Sequence, residues 1–228
     1  MPKLLLWDID GTIISSGGCG EASLRLAVRD FFGCDDDFKD IEIAGRTDTR
    51  IARQLLRKCG REETVEAIDA LLGRYLHHLP QLLPQRKGVL LPGVADVLDV
   101  LARRDDVVLA LLTGNLAAGA ELKLSHYGVW HYFRFGAYAD DHFDRNELGP
   151  VAMKRAREKG YEFAPRDVWV LGDTPHDIAC ARAFGAKALA VATGAFPSAQ
   201  LAQHKPDALF ENMVDTAGVV SVLAGEVD

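Results

Sequence analysis

Short apolar runs that stop abruptly at a charge or a turn restrict the fold of this chain more than any other feature. Lys3–Asp8 is the first of them. Comparable runs recur at Val107–Leu112, Val168–Leu171, Lys187–Ala192 and Asp207–Phe210, with a weaker one at Phe133–Ala139. Runs of this length bounded by turn signals read as buried strands. Between them lie segments with helical spacing: Val94–Arg103, Ala117–Tyr127, Pro150–Lys159, Asp177–Phe184 and Asp215–Leu223. Strand and helix in alternation predict an α/β fold, a doubly wound parallel sheet with helices on both faces.

Residues 16–87 break the alternation. Glu21–Phe32, Asp48–Lys58 and Thr64–His77 are amphipathic, and no strand pattern separates them. Gly17, Gly18 and Gly20 loosen the entry, while Pro80, Pro84, Gly88, Pro92 and Gly93 punctuate the exit. The expected organisation is a core formed by 1–15 and 88–228, with 16–87 inserted as a helical cap.

With 228 residues, 48% of them hydrophobic, the chain can bury a core without staples. Its net charge of -7 and the lack of any dense Lys/Arg run argue against a nucleic-acid partner. Met1–Asp10 is too short and too acidic at its end for a membrane span, so no membrane partner is expected. Cys19, Cys34, Cys59 and Cys180 form no C-x-x-C pair, which speaks for free thiols in a reducing cytoplasm. Cys19 has no flanking His to activate it as a nucleophile.

Chemistry concentrates at three strand ends. Asp8-Ile9-Asp10-Gly11-Thr12 follows the first run. Ligands of open parallel sheets bind beyond the carboxyl ends of the strands, and in an extended chain Asp8 and Asp10 point the same way. Two like charges so close require a cation or a shared proton. A calcium loop would need more oxygen ligands than Ile13 and Ile14 supply. The second motif, Gly172-Asp173-Thr174-Pro175-His176-Asp177, ends a later strand. If the strand order is 3-2-1-4-5, Asp8, Asp10 and Asp173 converge at the switch point, and three carboxyls there imply a hard cation such as Mg²⁺. The third, Thr113-Gly114-Asn115, can offer a hydroxyl and amides to a phosphate.

In this order the three motifs resemble the haloacid dehalogenase superfamily, and the overall pattern is most similar to its phosphoglycolate-phosphatase-like branch, with a Rossmann-like core and helical cap. The resemblance implies a phosphatase acting on a small phosphorylated metabolite. Asp8 would be the nucleophile and Asp10 the general acid and base. Asp8, the Asp10 carbonyl and Asp173 would hold Mg²⁺, with Asp177 supporting the metal from nearby. Thr113 and the amides after it would bind the phosphoryl group; Thr12, Gly114 and Asn115 are counted with the substrate-binding residues.

The family also uses a cation at the phosphoryl group. Here Arg145, placed before the helix at Pro150–Lys159, competes with Lys154 inside it, and Arg145 is favoured. Arg46, in the cap loop Ala44–Asp48, would bind a second acidic group of the substrate or bridge to a cap acid. Two alternatives stand beside hydrolysis: a phosphosugar mutase, disfavoured because Ser15–Leu24 contains no His, and a non-catalytic binding protein on this fold.

Overall fold

A computed structural model describes residues 2–33 and 38–225; Cys34 lies outside them. Strands β1 (Lys3–Trp7), β4 (Val107–Leu112), β5 (Gly136–Ala137), β6 (Val168–Gly172), β7 (Lys187–Val191) and β8 (Ala208–Phe210) form one sheet. Its order is β5-β4-β1-β6-β7-β8 and every neighbouring pair is parallel. Renumbered among themselves, these strands run 3-2-1-4-5-6, the expected order with one strand added. Two further strands, β2 (Ile14–Ser15) and β3 (Val89–Leu90), pair antiparallel into a small ribbon that the sequence reading had not assigned.

Side chains alternate across β1. Leu5 and Trp7 join a cluster with residues of α4 (Val94–Ala102), α5 (Ala117–His126) and α9 (Thr216–Ala224). Leu4 and Leu6 face the other way, onto α6 (Leu148–Glu158), α7 (Pro175–Ala183) and α8 (Ser198–Gln203). Burial on both faces explains why the sheet strands read as unbroken apolar runs. The weak run at Phe133–Ala139 contracts to the two residues of β5, and α8 lacked a pattern long enough to reveal it. Among the described residues no helix is long and apolar enough to cross a membrane.

A third cluster is built by α1 (Cys19–Phe32), α2 (Asp48–Lys58) and α3 (Val65–Leu82), through Leu24, Val28, Ile51, Leu55, Leu71 and Tyr75. Thr47 and Thr64 cap α2 and α3 by accepting from the amides of Arg50 and Ala67. Helix α3 continues through Pro80 to Leu82, so Pro80 does not end the helix as its reading as punctuation implied.

The ribbon of β2 and β3 brings together the two passages between the sheet and these helices. A second join lies at the start of α2. The Asp48 amide donates to the Gly114 carbonyl at 2.6 Å, and the Asp48 carboxylate accepts from the Leu116 amide at 2.9 Å. Thr47 and Thr49 donate to the carbonyls of Phe143 and Ala139. Gly114 permits this approach, because a Cβ there would sit 2.1 Å from the Arg46 carbonyl oxygen. Gly114→Ala should therefore push the loop off the core. We expect a loss of about 1–3 kcal/mol in denaturant unfolding and faster hydrogen exchange at the Asp48 amide, with the sheet amides unaffected.

Candidate active site

Because β1 and β6 are neighbours, their carboxyl ends deliver Asp8 and Asp173 to one place. The Asp8 amide continues the ladder by donating to the Leu171 carbonyl at 2.9 Å. Gly11 turns the chain with φ of 84°, and a Cβ there would sit 2.4 Å from an Asp173 oxygen. Gly194 leaves room on another side of the same carboxyl, where a Cβ would approach to 1.7 Å. Two glycines thus cradle Asp173, whose one described side-chain bond comes from the Thr12 hydroxyl at 3.2 Å.

Carboxylate oxygens of Asp8, Asp173 and Asp177 all lie within 4.8 Å of one another, and all three residues are buried. Thr174 opens α7 as its cap. One Asp177 oxygen accepts from the Thr174 amide and hydroxyl at 3.0 and 2.7 Å, closing a capping box. The other Asp177 oxygen is bonded by Arg145.

Arg145 sits in a short 3-10 turn, Arg145–Glu147, that leads into α6. Its guanidinium reaches Asp8 at 3.0 Å and donates to the Gly45 carbonyl at 3.1 Å. The competing Lys154 is exposed and faces Glu158 at 3.8 Å. Pro150 falls in the first turn of α6, where a missing amide hydrogen is tolerated.

Burial pushes the Asp8 carboxyl up to about 6, with Arg145 opposing and the Asp177 and Asp10 charges adding to the rise. Asp173 is pushed up to about 8 by burial and then by Asp177 and Asp8. Burial without water, and then the neighbouring acids, make the charged forms of both carboxyls costly despite Arg145. A divalent cation seated on carboxylate oxygen offsets that cost, and the donor set is the kind a hard cation takes. Asp8 and Asp173 have oxygens free for it. Asp177 has both oxygens engaged and stands behind the pair, holding Arg145.

Asp10 is governed differently. Lys123, from α5, donates to it at 2.5 Å and to the Asn115 side-chain oxygen at 2.6 Å. Asn115 donates to Asp10 at 3.0 Å and to the Thr113 hydroxyl at 2.9 Å. Burial alone would raise the Asp10 carboxyl, but the Lys123 ammonium and these hydrogen bonds hold it below its ordinary value. Lys123 is itself buried, and burial, which would lower its ammonium, is outweighed by Asp10 and other nearby acids, so it stays charged. The sequence carried a faint signal for Lys123: it lies on the helical stripe of Ala120 and Leu124, where an apolar residue is expected.

A cavity of about 410 Å³ connects these groups, walled by Asp8, Asp10, Asp173 and Arg145 at the strand ends and by Leu24, Ile43, Ile51 and Tyr75 opposite. Gly114, Asn115 and Arg46 also line it. Three of the residues counted with the substrate have partners within the protein. Thr12 is buried and donates its hydroxyl to Asp173. Asn115 spends its side chain on Asp10, Thr113 and Lys123. Arg46 bridges to an acid, Glu42, through two nitrogens at 2.8 and 2.5 Å, the second of its two alternatives. Thr113 is fully buried beside this network. Cys19 is buried, its thiol pushed up by burial and turned toward the Leu79 carbonyl.

Residues 5–182 match the family model of haloacid dehalogenase-like hydrolases. The chain belongs to that family. Among curated relatives it is similar to "Probable phosphatase IndB" of Dickeya dadantii, 27% identical over 98% of this chain and 95% of that one. It is also similar to phosphoglycolate phosphatase 1 of Pseudomonas aeruginosa, 26% identical over 94% and 78%. Among solved structures, a Bacteroides vulgatus protein provisionally named a beta-phosphoglucomutase shares the fold. Its TM-score is 0.71 at 20% identity, over 100% of this chain and 91% of that one.

Arg145→Ala in this hydrolase leaves the buried carboxyls of Asp8 and Asp177 without their cation and should cost about 3–5 kcal/mol of stability. Lys154→Ala should change stability by no more than about 0.5 kcal/mol; equal denaturation curves for the two variants would contradict the assignment. The raised carboxyls make a second prediction. Asp8 and Asp173 hold their protons more tightly folded than unfolded. The stability they contribute is present below about pH 4 and is lost as pH rises through about 6 and 8. In chelator the melting temperature should fall across that interval, and a divalent cation added at pH 8 should restore it. A melting temperature that climbs with pH in chelator would count against the cation site.

Proposed function

We propose that this hydrolase is a Mg²⁺-dependent phosphatase that cleaves a small phosphomonoester through a phosphoaspartate on Asp8. The observation that carries the reading is the meeting of Asp8 with Arg145 at 3.0 Å and with Asp173 inside one cavity. A nucleophilic carboxylate, a cation for phosphoryl oxygens and free acid oxygens for a metal stand together there. The phosphatase names of the curated relatives support it.

Asp8 attacks phosphorus in line, forming the acyl phosphate as the ester P–O bond breaks. Asp10 gives its proton to the departing alkoxide oxygen; the incoming phosphate, itself negative, raises the Asp10 carboxyl so that it carries that proton. Asp10 then removes a proton from water, the hydroxide attacks phosphorus, and Asp8 leaves as the free carboxylate. Arg145 keeps Asp8 oriented and meets charge on the equatorial oxygens with its planar donors. Gly114, which lines the cavity, would offer its amide to the same group, while the Asn115 amide donates to the Thr113 hydroxyl. Mg²⁺, held by Asp8, the Asp10 carbonyl and Asp173, would neutralise further charge on phosphoryl oxygen. Asp177 acts behind the site by fixing Arg145. The helical unit α1–α3, as a cap over residues 16–87, covers the leaving group and excludes water.

A transfer reaction would need a second group near the leaving alcohol to manage a returning phosphate. The stretch Ser15–Leu24 offers Ser16, Gly18, Gly20, Glu21 and Leu24 to the cavity and no His, which favours hydrolysis.

Asp8→Asn should abolish turnover of p-nitrophenyl phosphate. Asp10→Asn should keep slow phosphorylation of Asp8 and lose roughly 10²–10⁴-fold in rate. Wild-type turnover should vanish in chelator, return with Mg²⁺ and return poorly with Ca²⁺, whose looser geometry can engage both Asp8 oxygens. Mass spectrometry of acid-quenched protein checks the acyl phosphate, and undiminished turnover in Asp8→Asn would reject the mechanism.

A further inference from the structure

The half of the cavity away from Asp8 carries polar groups that the mechanism does not use. Tyr75, on α3, is 1% exposed and lines the cavity, yet no described residue hydrogen-bonds its hydroxyl. Asp48, at the start of α2, is 7% exposed and lines it too. One of its oxygens accepts from the Leu116 amide, and the other has no described partner. The Tyr75 hydroxyl lies beside Gly119 of α5, and Asp48 accepts from the Leu116 amide that leads into the same helix, so the two groups stand against one end of α5. Burial, then the Asp48 charge, raises the phenol, which keeps its proton. Between them they offer one donor and one strong acceptor. That pair matches an alcohol, which both donates and accepts.

The cations of this half are already engaged. Lys123 is held by Asp10 at 2.5 Å, and Arg46 by Glu42. A carboxylate in the leaving group would meet the Asp48 charge, and the cations that line the cavity, Arg46, Lys123 and Arg145, already face acids of the protein.

We propose that Asp48 and Tyr75 form a hydroxyl-binding subsite that selects phosphomonoesters of neutral polyhydroxy alcohols over those of hydroxy acids. The inference rests on the phosphatase reading and deepens it. The Tyr75 hydroxyl donates to one substrate oxygen and Asp48 accepts from the substrate O–H. A site built to hydrogen-bond a hydroxyl discriminates strongly against analogues lacking it, since its buried groups are then left unpaired. The cavity volume of about 410 Å³ limits the alcohol to a small one.

The test compares kcat/KM for sn-glycerol 3-phosphate, D-ribose 5-phosphate, 2-phosphoglycolate and p-nitrophenyl phosphate on the whole protein in Mg²⁺. A polyol ester should exceed 2-phosphoglycolate by roughly tenfold or more. In Tyr75→Phe the ratio of kcat/KM for that ester to p-nitrophenyl phosphate should fall about tenfold, mostly through KM. Asp48→Asn should lower the same ratio; if it fails to fold, the conservative Tyr75→Phe still decides. The two readings fail separately. No phosphate release from p-nitrophenyl phosphate overturns the phosphatase reading and this one with it. Turnover of p-nitrophenyl phosphate with 2-phosphoglycolate preferred over both polyol esters overturns this one alone, as does an unchanged ratio in Tyr75→Phe.

Discussion

Everything at the mouth of the sheet depends on one buried guanidinium. Arg145 faces Asp8 and Asp177 from below and the Gly45 carbonyl from above. Removing a partner from such a buried set is strongly destabilising, because the remaining charge has no water to turn to. The fold meets this demand with a rigid support. The capping box of α7 fixes Asp177, Asp177 fixes Arg145, and Arg145 fixes Asp8. The choice of Arg matters, since its planar donors reach three acceptors at once where an ammonium acts as a compact point charge.

A second polar network stands on the other side of Asp8 and obeys different rules. Lys123, Asn115 and Ser16 keep the Asp10 carboxyl low, whereas burial, and then like charges, raise Asp8 and Asp173. Acids drawn from two adjacent strand ends therefore start with unlike proton affinities. Distinct environments around neighbouring carboxyls are what acid–base chemistry requires of them. The same Lys123 lies near Asp48 and Tyr75 of the helical unit, so the proton site and the polar wall above it share one buried charge.

The helical unit is joined to the core through backbone as much as through side chains. The Asp48 amide on the Gly114 carbonyl, the Leu116 amide on Asp48 and Arg145 on the Gly45 carbonyl bind the loop before α2 to the strand ends. The loop thereby supplies one of the three acceptors that hold Arg145. Glu42 adds a side-chain tie, facing both Arg46 and His176.

The sequence by itself determined the sheet and the acidic strand ends. Strands buried on both faces must be apolar throughout, and a charge that closes such a run must sit at the strand's carboxyl end; both are local facts. Lys3–Asp8 and Val168–Leu171 declared themselves in this way, and the motifs behind them carried the family. Arg145 was legible from its place before a helix, once Lys154 was seen to lie within one. Only the tertiary structure decided which polar groups meet. Thr12 turned to Asp173 and Asn115 to Asp10, and Lys123 and Tyr75 entered the cavity from α5 and α3. A hydrogen bond between residues more than a hundred positions apart, such as Lys123 with Asp10, leaves no periodicity in the chain. It exists because two elements pack at one distance and angle, which short-range pattern does not encode.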